Sequence, residues 1–256
     1  MATLKKTILF IGFGNLAKSI LNKDLKSNFK ISYINSSKKI EFINSKKSYK
    51  STYDVVFLLV KPNIFYNYGK EFSKYTNKKT IIISFMAGVR INTISKKINN
   101  SRIVRVMPSV LSLYKNSHSC VFSHYHNLSK WTVKNVTNLF GTSFIISNEN
   151  DMHKATVLFG SGPAFIAFVT KSYLDACKQF NLKFNFTNDP ILDMFKFVLQ
   201  HSDKFGGFEK FINSISSKKG VTQEGISYLR NSNIKKIMYT SLIKSYKRSK
   251  ELSLGK

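Results

Sequence analysis

The stretch "ILFIGFGNLAKSI", residues 8–20, admits two readings. Lys5 and Lys6 followed by four apolar residues could open a secretion signal. The apolar run, however, breaks at Gly12 and Gly14, and no small-x-small cleavage site precedes a change in composition. The second reading accounts for more. Ile8-Leu9-Phe10-Ile11 is a short, wholly apolar run of the kind buried on both faces of a parallel sheet. Gly12-Phe13-Gly14-Asn15-Leu16-Ala17 then fits G-x-G-x-x-A, and Ala17–Leu21 can continue as a helix. The glycines permit a tight turn and close approach to a pyrophosphate, whose charge sits at the helix N-terminus. A plain strand–turn–helix carries the same pattern, so this motif alone does not prove a cofactor site.

A chain of 256 residues can bury a substantial core as one large or two modest domains. No apolar run is read as long enough to span a bilayer. Cys120 and Cys177 lie far apart with no C-x-x-C, so neither a disulfide framework nor a thiolate zinc site is indicated. A reducing, cytoplasmic compartment is the expectation. The formal charge of +28 would draw polyanions. Yet the lysines are spread along the whole chain, and no RNA-recognition, zinc-finger or helix-turn-helix signature accompanies them. Lys, Asn, Ile, Phe and Tyr all have AT-rich codons, and compositional drift accounts for the excess. No specific nucleic acid and no membrane are expected as partners. His124 and His126 lack a further ligand set at zinc spacing, and no metal is expected.

Apolar strand-like runs recur at Lys30–Ile34, Asp54–Val60, Thr80–Ser84 and Arg102–Val106, with shorter ones at Cys120–Ser123 and Ser143–Ser147. Their alternation with helical segments predicts an α/β fold built on a Rossmann-like doubly wound sheet. After about residue 150 the pattern turns helical, over Asp151–Phe180, Pro190–His201 and Lys235–Leu252. Two domains follow: residues 1–150 binding a dinucleotide, and residues 151–256 forming an all-α unit. About twenty positions beyond the glycines, where NAD-binding folds place an acidic residue, the chain has Asn35-Ser36-Ser37-Lys38-Lys39. Ser36, Ser37 and Lys38 can hold a 2′-phosphate, which favours NADPH and leaves NADH as an alternative.

Several further stretches resemble pyrroline-5-carboxylate reductases. "GFGNLAKSI" is similar to that family's G-x-G-N-M-A-x-A-I, "DVVFLLVKP" to its third strand and V-K-P, and "IIISFMAGV" to S-x-x-A-G-V. "RVMP" opens R-x-M-P-N, "ATVLFGSGPAF" resembles T-x-x-S-G-S-G-P-A-Y, and "KSYKRSKEL" resembles the closing helix. They run in order along nearly the whole chain. The resemblance implies hydride transfer from NAD(P)H to the C=N carbon of 1-pyrroline-5-carboxylate, giving L-proline. It implies a homodimer or a ring of dimers, with helices of one subunit facing the dinucleotide domain of another. By motif, Ile11, Gly12, Phe13, Gly14, Asn15 and Leu16 would hold the pyrophosphate. Leu59, Val60, Lys61 and Pro62, with Met86, Ala87 and Gly88, would border the ribose and nicotinamide.

The family's substrate loop, S-P-G-G-T-T-x-x-G, is matched by residues 217–225 at Ser217, Gly220, Thr222 and Gly225. Ser217 and Gly220 would bind the substrate carboxylate, and Thr222 would hold the imine nitrogen as the catalytic group. A threonine at a helix start is also a common N-cap. Asp203 falls near a family acidic residue at the substrate. Lys218, Lys219 and Val221 depart from the loop pattern, and Ser109 stands where the family has asparagine. Two alternatives remain open: another NADPH-dependent imine or ketone reductase on the same plan, or a catalytically silent basic binding protein. If the charge reflects drift, nucleic-acid binding will be weak, indifferent to sequence and abolished by moderate salt. Filter binding across a salt series checks this, and tight binding to one sequence at physiological salt would favour the binding protein.

Overall fold

The computed structural model describes residues 5–35, 40–43, 52–109, 111, 117–139, 141–180 and 189–254. Packing divides the chain into two units, Met1–Pro163 with Lys244–Lys256, and Ala164–Ile243. The first unit is organised by the alternation of apolar residues on its strands. β1 (Thr7–Ile11) is followed by α1 (Asn15–Ile20), α2 (Lys23–Asn28), β2 (Lys30–Ile34) and the short β3 (Ile40–Phe42). Then come β4 (Val55–Leu58), α3 (Pro62–Tyr68), a 3₁₀ segment (Gly69–Tyr75), β5 (Ile81–Ser84), α4 (Ile91–Ile98) and β6 (Ile103–Met107). β7 (Ser117–Phe122), α5 (His126–Asn135), a second 3₁₀ turn (Thr137–Leu139) and β8 (Gly141–Ile145) complete the eight-stranded sheet.

The strand order is β3-β2-β1-β4-β5-β6-β7-β8. β2, β1, β4, β5 and β6 are mutually parallel, whereas β3 and β7 run antiparallel to their neighbours β2 and β6. Side chains alternate across this sheet. Ile8, Phe10, Val55, Phe57, Ile83 and Val104 pack on one face with Ala17, Ile20 and Leu25 of the first two helices. Leu9, Ile11, Val56, Leu58 and Ile82 pack on the other with Phe65 and with Ile91, Ile94 and Ile98, one stripe of α4. Each such side chain contributes about 1.5–3 kcal/mol relative to exposure. Asp54 ties the amino ends of β1 and β4 together: its Oδ2 accepts from the Thr7 amide at 2.8 Å and the Thr7 hydroxyl at 2.7 Å.

Beyond the sheet, α6 (Asp151–Ala155) runs through a π-helical segment (Thr156–Ser161) into α7 (Gly162–Lys178). Residues 151–163, assigned by the sequence to the second domain, pack with the sheet, because Met152 and Ala155 bury in its core. The continuous helix Asp151–Lys178 is long and apolar enough to cross a membrane by length and composition. This corrects the expectation that no segment is; its Gly, Ala, Ser and Thr residues interrupt the apolar runs without lowering mean hydropathy enough. α8 (Asp189–His201), a 3₁₀ turn (Ser202–Phe205), α9 (Phe208–Ile215), α10 (Val221–Asn231) and α11 (Ile234–Ser253) follow. In the second unit the apolar faces are largely uncovered: Ile166, Phe168, Ile237 and Tyr239 are each 60–72% exposed. No described residue of α7, α9 or α10 is buried.

The last turn of α11 belongs to the first unit and is held there by polar contacts. The His153 Nδ1 lies 2.9 Å from the Ser249 hydroxyl, and both residues are buried. The Tyr66 hydroxyl donates to the Leu252 and Ser253 carbonyls at 3.4 and 3.3 Å. Burial, reinforced by the charges of Arg105, Arg90 and Lys250 and opposed by Glu149, holds the His153 imidazole pKa below the ordinary histidine value. The folded state thus favours neutral His153 more than the unfolded chain does. Its contribution is complete above about pH 6.5 and is lost as pH falls through the lower folded value. The urea midpoint is expected to drop as pH falls below about 6.5, and His153→Gln to flatten that drop.

Candidate active site

The carboxyl ends of β1, β2 and β4 meet at the first glycine of the turn. The Gly12 amide donates to the Ile34 carbonyl at 2.9 Å, and the Leu59 amide donates to the Ile11 carbonyl at 2.8 Å. Gly12 has φ +97°, and a Cβ there would sit 2.9 Å from the Leu59 carbonyl carbon and oxygen. Both the dihedral and the contact demand glycine. Gly14 differs. It is the N-cap of α1 in extended backbone, φ −88° and ψ −163°, and a Cβ there would meet nothing within 4 Å. Open space beside that backbone is what an approaching ligand needs. Asn15 and Leu16 begin α1, and no side chain caps its amides.

A cleft of about 520 Å³ opens here, lined by Ile11, Gly12, Phe13, Asn35, Val60 and Lys61 among others. It lies where the strand order reverses between β1 and β4, the usual ligand crevice of an open α/β sheet. Phe13 stacks on Tyr33 with ring centroids 4.0 Å apart. Lys61 is the extended N-cap of α3 and Pro62 its first residue, as the restriction before proline requires. Leu59 and Val60 are half-buried between β4 and that helix. Ser36, Ser37 and Lys38 lie outside the described residues. Against Asn35 and Tyr33 the structure adds a carboxylate that sequence reasoning missed. Glu41 of β3 accepts from the Asn35 amide nitrogen at 3.1 Å and from the Tyr33 hydroxyl, which raises the Tyr33 pKa. A three-residue strand is too short for periodicity to reveal, so Glu41 gave no signal.

Met86, Ala87 and Gly88 form the turn after β5. Gly88 has φ +77°, and a Cβ would meet the Leu252 Cβ at 2.9 Å. At the far side of this turn, the Ile91 amide donates to Glu149 Oε1 at 2.8 Å. The same oxygen receives Nη1 of Arg105 at 3.1 Å, and Arg105 is 1% exposed. Burial lowers the Arg105 pKa and Glu149 opposes that shift. Pro108 and buried Ser109 follow on from β6, and Met107 Sδ lies 3.6 Å from the position of a Cβ on Gly160 of the π-helical segment. Arg105 opens the "RVMP" stretch noted in the sequence, but nothing there pairs it with Glu149, 44 residues away.

The predicted substrate residues belong to the second unit. Asp203 is exposed in the 3₁₀ turn after α8, and its carbonyl accepts from the Gly206 amide at 2.9 Å. Ser217 closes a four-residue turn, its carbonyl accepting from the Gly220 amide at 2.9 Å. Lys219, the third residue of that turn, has φ +61°. Glycine is the normal occupant of this conformation, and a lysine carries about 1–2 kcal/mol of strain there. The N-cap of α10 is Gly220, so Thr222 is the second helical residue rather than the cap. Its side chain is half-buried, and its hydroxyl makes no hydrogen bond among the described residues. The loop therefore leaves that hydroxyl available. Among the described residues no group of three or more His, Cys, Asp or Glu could hold a metal.

Residues 149–252 match the family described as Pyrroline-5-carboxylate reductase dimerisation, and residues 7–88 match NADP oxidoreductase coenzyme F420-dependent. A pyrroline-5-carboxylate reductase of Staphylococcus haemolyticus is 32% identical over 206 residues, covering 78% of this chain and 75% of the relative. One from Staphylococcus epidermidis is 30% identical over the same coverage. Among solved structures, the NADP-bound pyrroline carboxylate reductase of Plasmodium falciparum aligns with a TM-score of 0.79 at 22% identity, over 97% of this chain and 98% of that one. The Streptococcus pyogenes 1-pyrroline-5-carboxylate reductase aligns at 0.76 and 20% identity, over 96% and 99%.

The two glycines should separate stability from ligand binding. Gly12→Ala is expected to lower the melting temperature and abolish dinucleotide binding together, because its Cβ strikes backbone. Gly14→Ala meets no steric clash, so at this N-cap it should cost at most about 1 kcal/mol of stability while weakening NADPH binding. Thermal melts beside NADPH titrations check both.

Proposed function

The chain belongs to the pyrroline-5-carboxylate reductase family, and from that premise we propose that it reduces 1-pyrroline-5-carboxylate to L-proline, the last step of proline biosynthesis, with NADPH as hydride donor. The observation that carries the reading is the glycine turn at the sheet's switch point, closed by Gly12 and left open at Gly14. Residues 1–150 bind the dinucleotide, and residues 151–256 carry dimerisation and the substrate. Gly12 to Leu16, with Ile11 behind them, hold the pyrophosphate; Ser36, Ser37 and Lys38 hold the 2′-phosphate. Leu59 to Pro62 and Met86 to Gly88 border the ribose and nicotinamide.

When bound, NADPH would supply a hydride to the carbon of the protonated C=N group, whose π pair becomes the lone pair of the product amine. The protein's part is to keep that nitrogen in line and the carboxylate anchored. Ser217 and Gly220 bind the carboxylate, with Asp203 near the substrate, and the Thr222 hydroxyl holds the nitrogen as acceptor or donor. Lys218 and Lys219 add positive charge where the family has uncharged residues, which supports a second reading: a reductase of a different, more anionic imino acid. The uncovered apolar helices of the second unit support assembly through a second copy, as a homodimer or a ring of dimers in the cytoplasm. Mixing purified protein with NADPH and 1-pyrroline-5-carboxylate, followed at the nicotinamide absorbance, tests the function. Oxidation of NADPH with another cyclic imino acid alone would establish the second reading.

Cofactor choice gives one further expectation. NADPH should exceed NADH in kcat/KM, and Ser36→Asp should narrow or reverse that preference by repelling the 2′-phosphate. Steady-state kinetics with both nucleotides decides it. For the reaction itself, Thr222→Ala should lower kcat/KM by ~1.5–4 kcal/mol with little change in NADPH affinity, as for a lost hydrogen bond in a preorganised site. Thr222→Ser should keep much of the activity. Unchanged turnover in the alanine variant would remove Thr222 from the mechanism.

A further inference from the structure

The ion pair between Arg105 and Glu149 lies outside the groups assigned to pyrophosphate, nicotinamide and substrate. Its placement ties it to one of them. Glu149 Oε1 receives both the Arg105 guanidinium at 3.1 Å and the Ile91 amide at 2.8 Å, and Ile91 is the first residue of α4. The next residue, Asn150, accepts from Arg90 Nη2 at 2.7 Å. Residues 149–150 thus grip the outgoing end of the turn that begins at Met86. From the other side the turn is backed by the last turn of α11, where Gly88 has no room for a Cβ against Leu252. That last turn is in turn fixed by the Ser249–His153 and Tyr66 contacts.

Stability does not account for burying this pair. Taking both charges from water costs about as much as their attraction returns, and apolar replacements are often as stable. The Arg105 Nε and Nη2 atoms, moreover, are buried without a hydrogen-bond partner. What the pair supplies is direction. A planar guanidinium fixes the carboxylate, and the carboxylate fixes the first amide of α4, so the preceding turn has one seat rather than several.

We propose that Glu149, held by Arg105, is a positioning residue for the nicotinamide side of the cofactor, setting Met86–Gly88 through the Ile91 amide. The proposal rests on the assignment of Met86–Gly88 to the nicotinamide side. Its signature is that NADPH feels the pair while the adenine half of the same molecule does not.

The test compares binding of NADPH and of 2′,5′-ADP, which lacks the nicotinamide half, to the full-length protein and two variants. Glu149→Gln is expected to raise the Kd for NADPH about tenfold, the size of a lost charge-assisted hydrogen bond, and to leave 2′,5′-ADP within about twofold. Glu149→Gln leaves Arg105 as an uncompensated buried charge, so Ser249→Ala, which leaves none, is measured beside it. It loosens the last turn of α11 behind Gly88 and should weaken NADPH about threefold with 2′,5′-ADP again unmoved. If Glu149→Gln does not fold, the double variant Arg105→Gln with Glu149→Gln, which leaves no buried charge unpaired, is held to the same outcome. Equal loss of both ligands, or no loss of NADPH, overturns the proposal. Wild-type protein that binds NADPH but does not turn over 1-pyrroline-5-carboxylate overturns the proposed function alone, since the binding comparison still stands.

Discussion

Three parallel strands end around one α-carbon. Gly12 receives its place from the Ile34 carbonyl on one side and the Leu59 backbone on the other, and at φ +97° no side chain fits. That contact fixes how far β1 projects between β2 and β4, and hence where the crevice opens. The tie between Thr7 and Asp54 sets the same strands at their opposite ends. Between these two fixed points, the alternation of Leu9 and Ile11 with Ile8 and Phe10 leaves no freedom of register, because a slip by one residue would exchange two buried faces. The crevice is in this sense a by-product of how the sheet is pinned.

Much of this was legible from local pattern. The runs at 8–11, 30–34 and 54–60 are apolar enough to announce buried parallel strands, and the observed β1, β2 and β4 lie within a residue or two of them. Local pattern failed where the information is not local. β3 has three residues, so no period can show in it, and the carboxylate of Glu41 went unseen beside Asn35. The antiparallel turn of β7 against β6 leaves no mark in an apolar run, which reads alike in either direction. Arg105 stood out only as the first residue of "RVMP", and its partner Glu149 came into view only with the fold. Residues 151–163 looked helical, and are, but helicity does not say which core Met152 and Ala155 will join.

Residues 217–225 combine a closed turn with residues that depart from the family's pattern. Lys219 adopts the left-handed conformation that the family's glycine would take at no cost. The turn from Ser217 to Gly220 closes nonetheless, and Gly220 still begins α10. The turn closes against the preference of its own residue at Lys219, while Lys218, Lys219 and Val221 change its charge and its polarity. A sequence comparison alone would have counted Lys219 as a lost glycine and a broken loop. The position of Gly220 as cap likewise removes the ordinary structural reason for a threonine two residues later.

The exposed faces of Ile166, Phe168, Ile237 and Tyr239 have a consequence for the life of the chain before it meets its copy. A helical unit that buries almost nothing by itself draws its stability from association, so its folded fraction is set by mass action as well as by sequence. A newly made chain at low abundance presents the same apolar surface to chaperones, proteases and unrelated partners. A rise in expression yields more than a proportional rise in assembled protein.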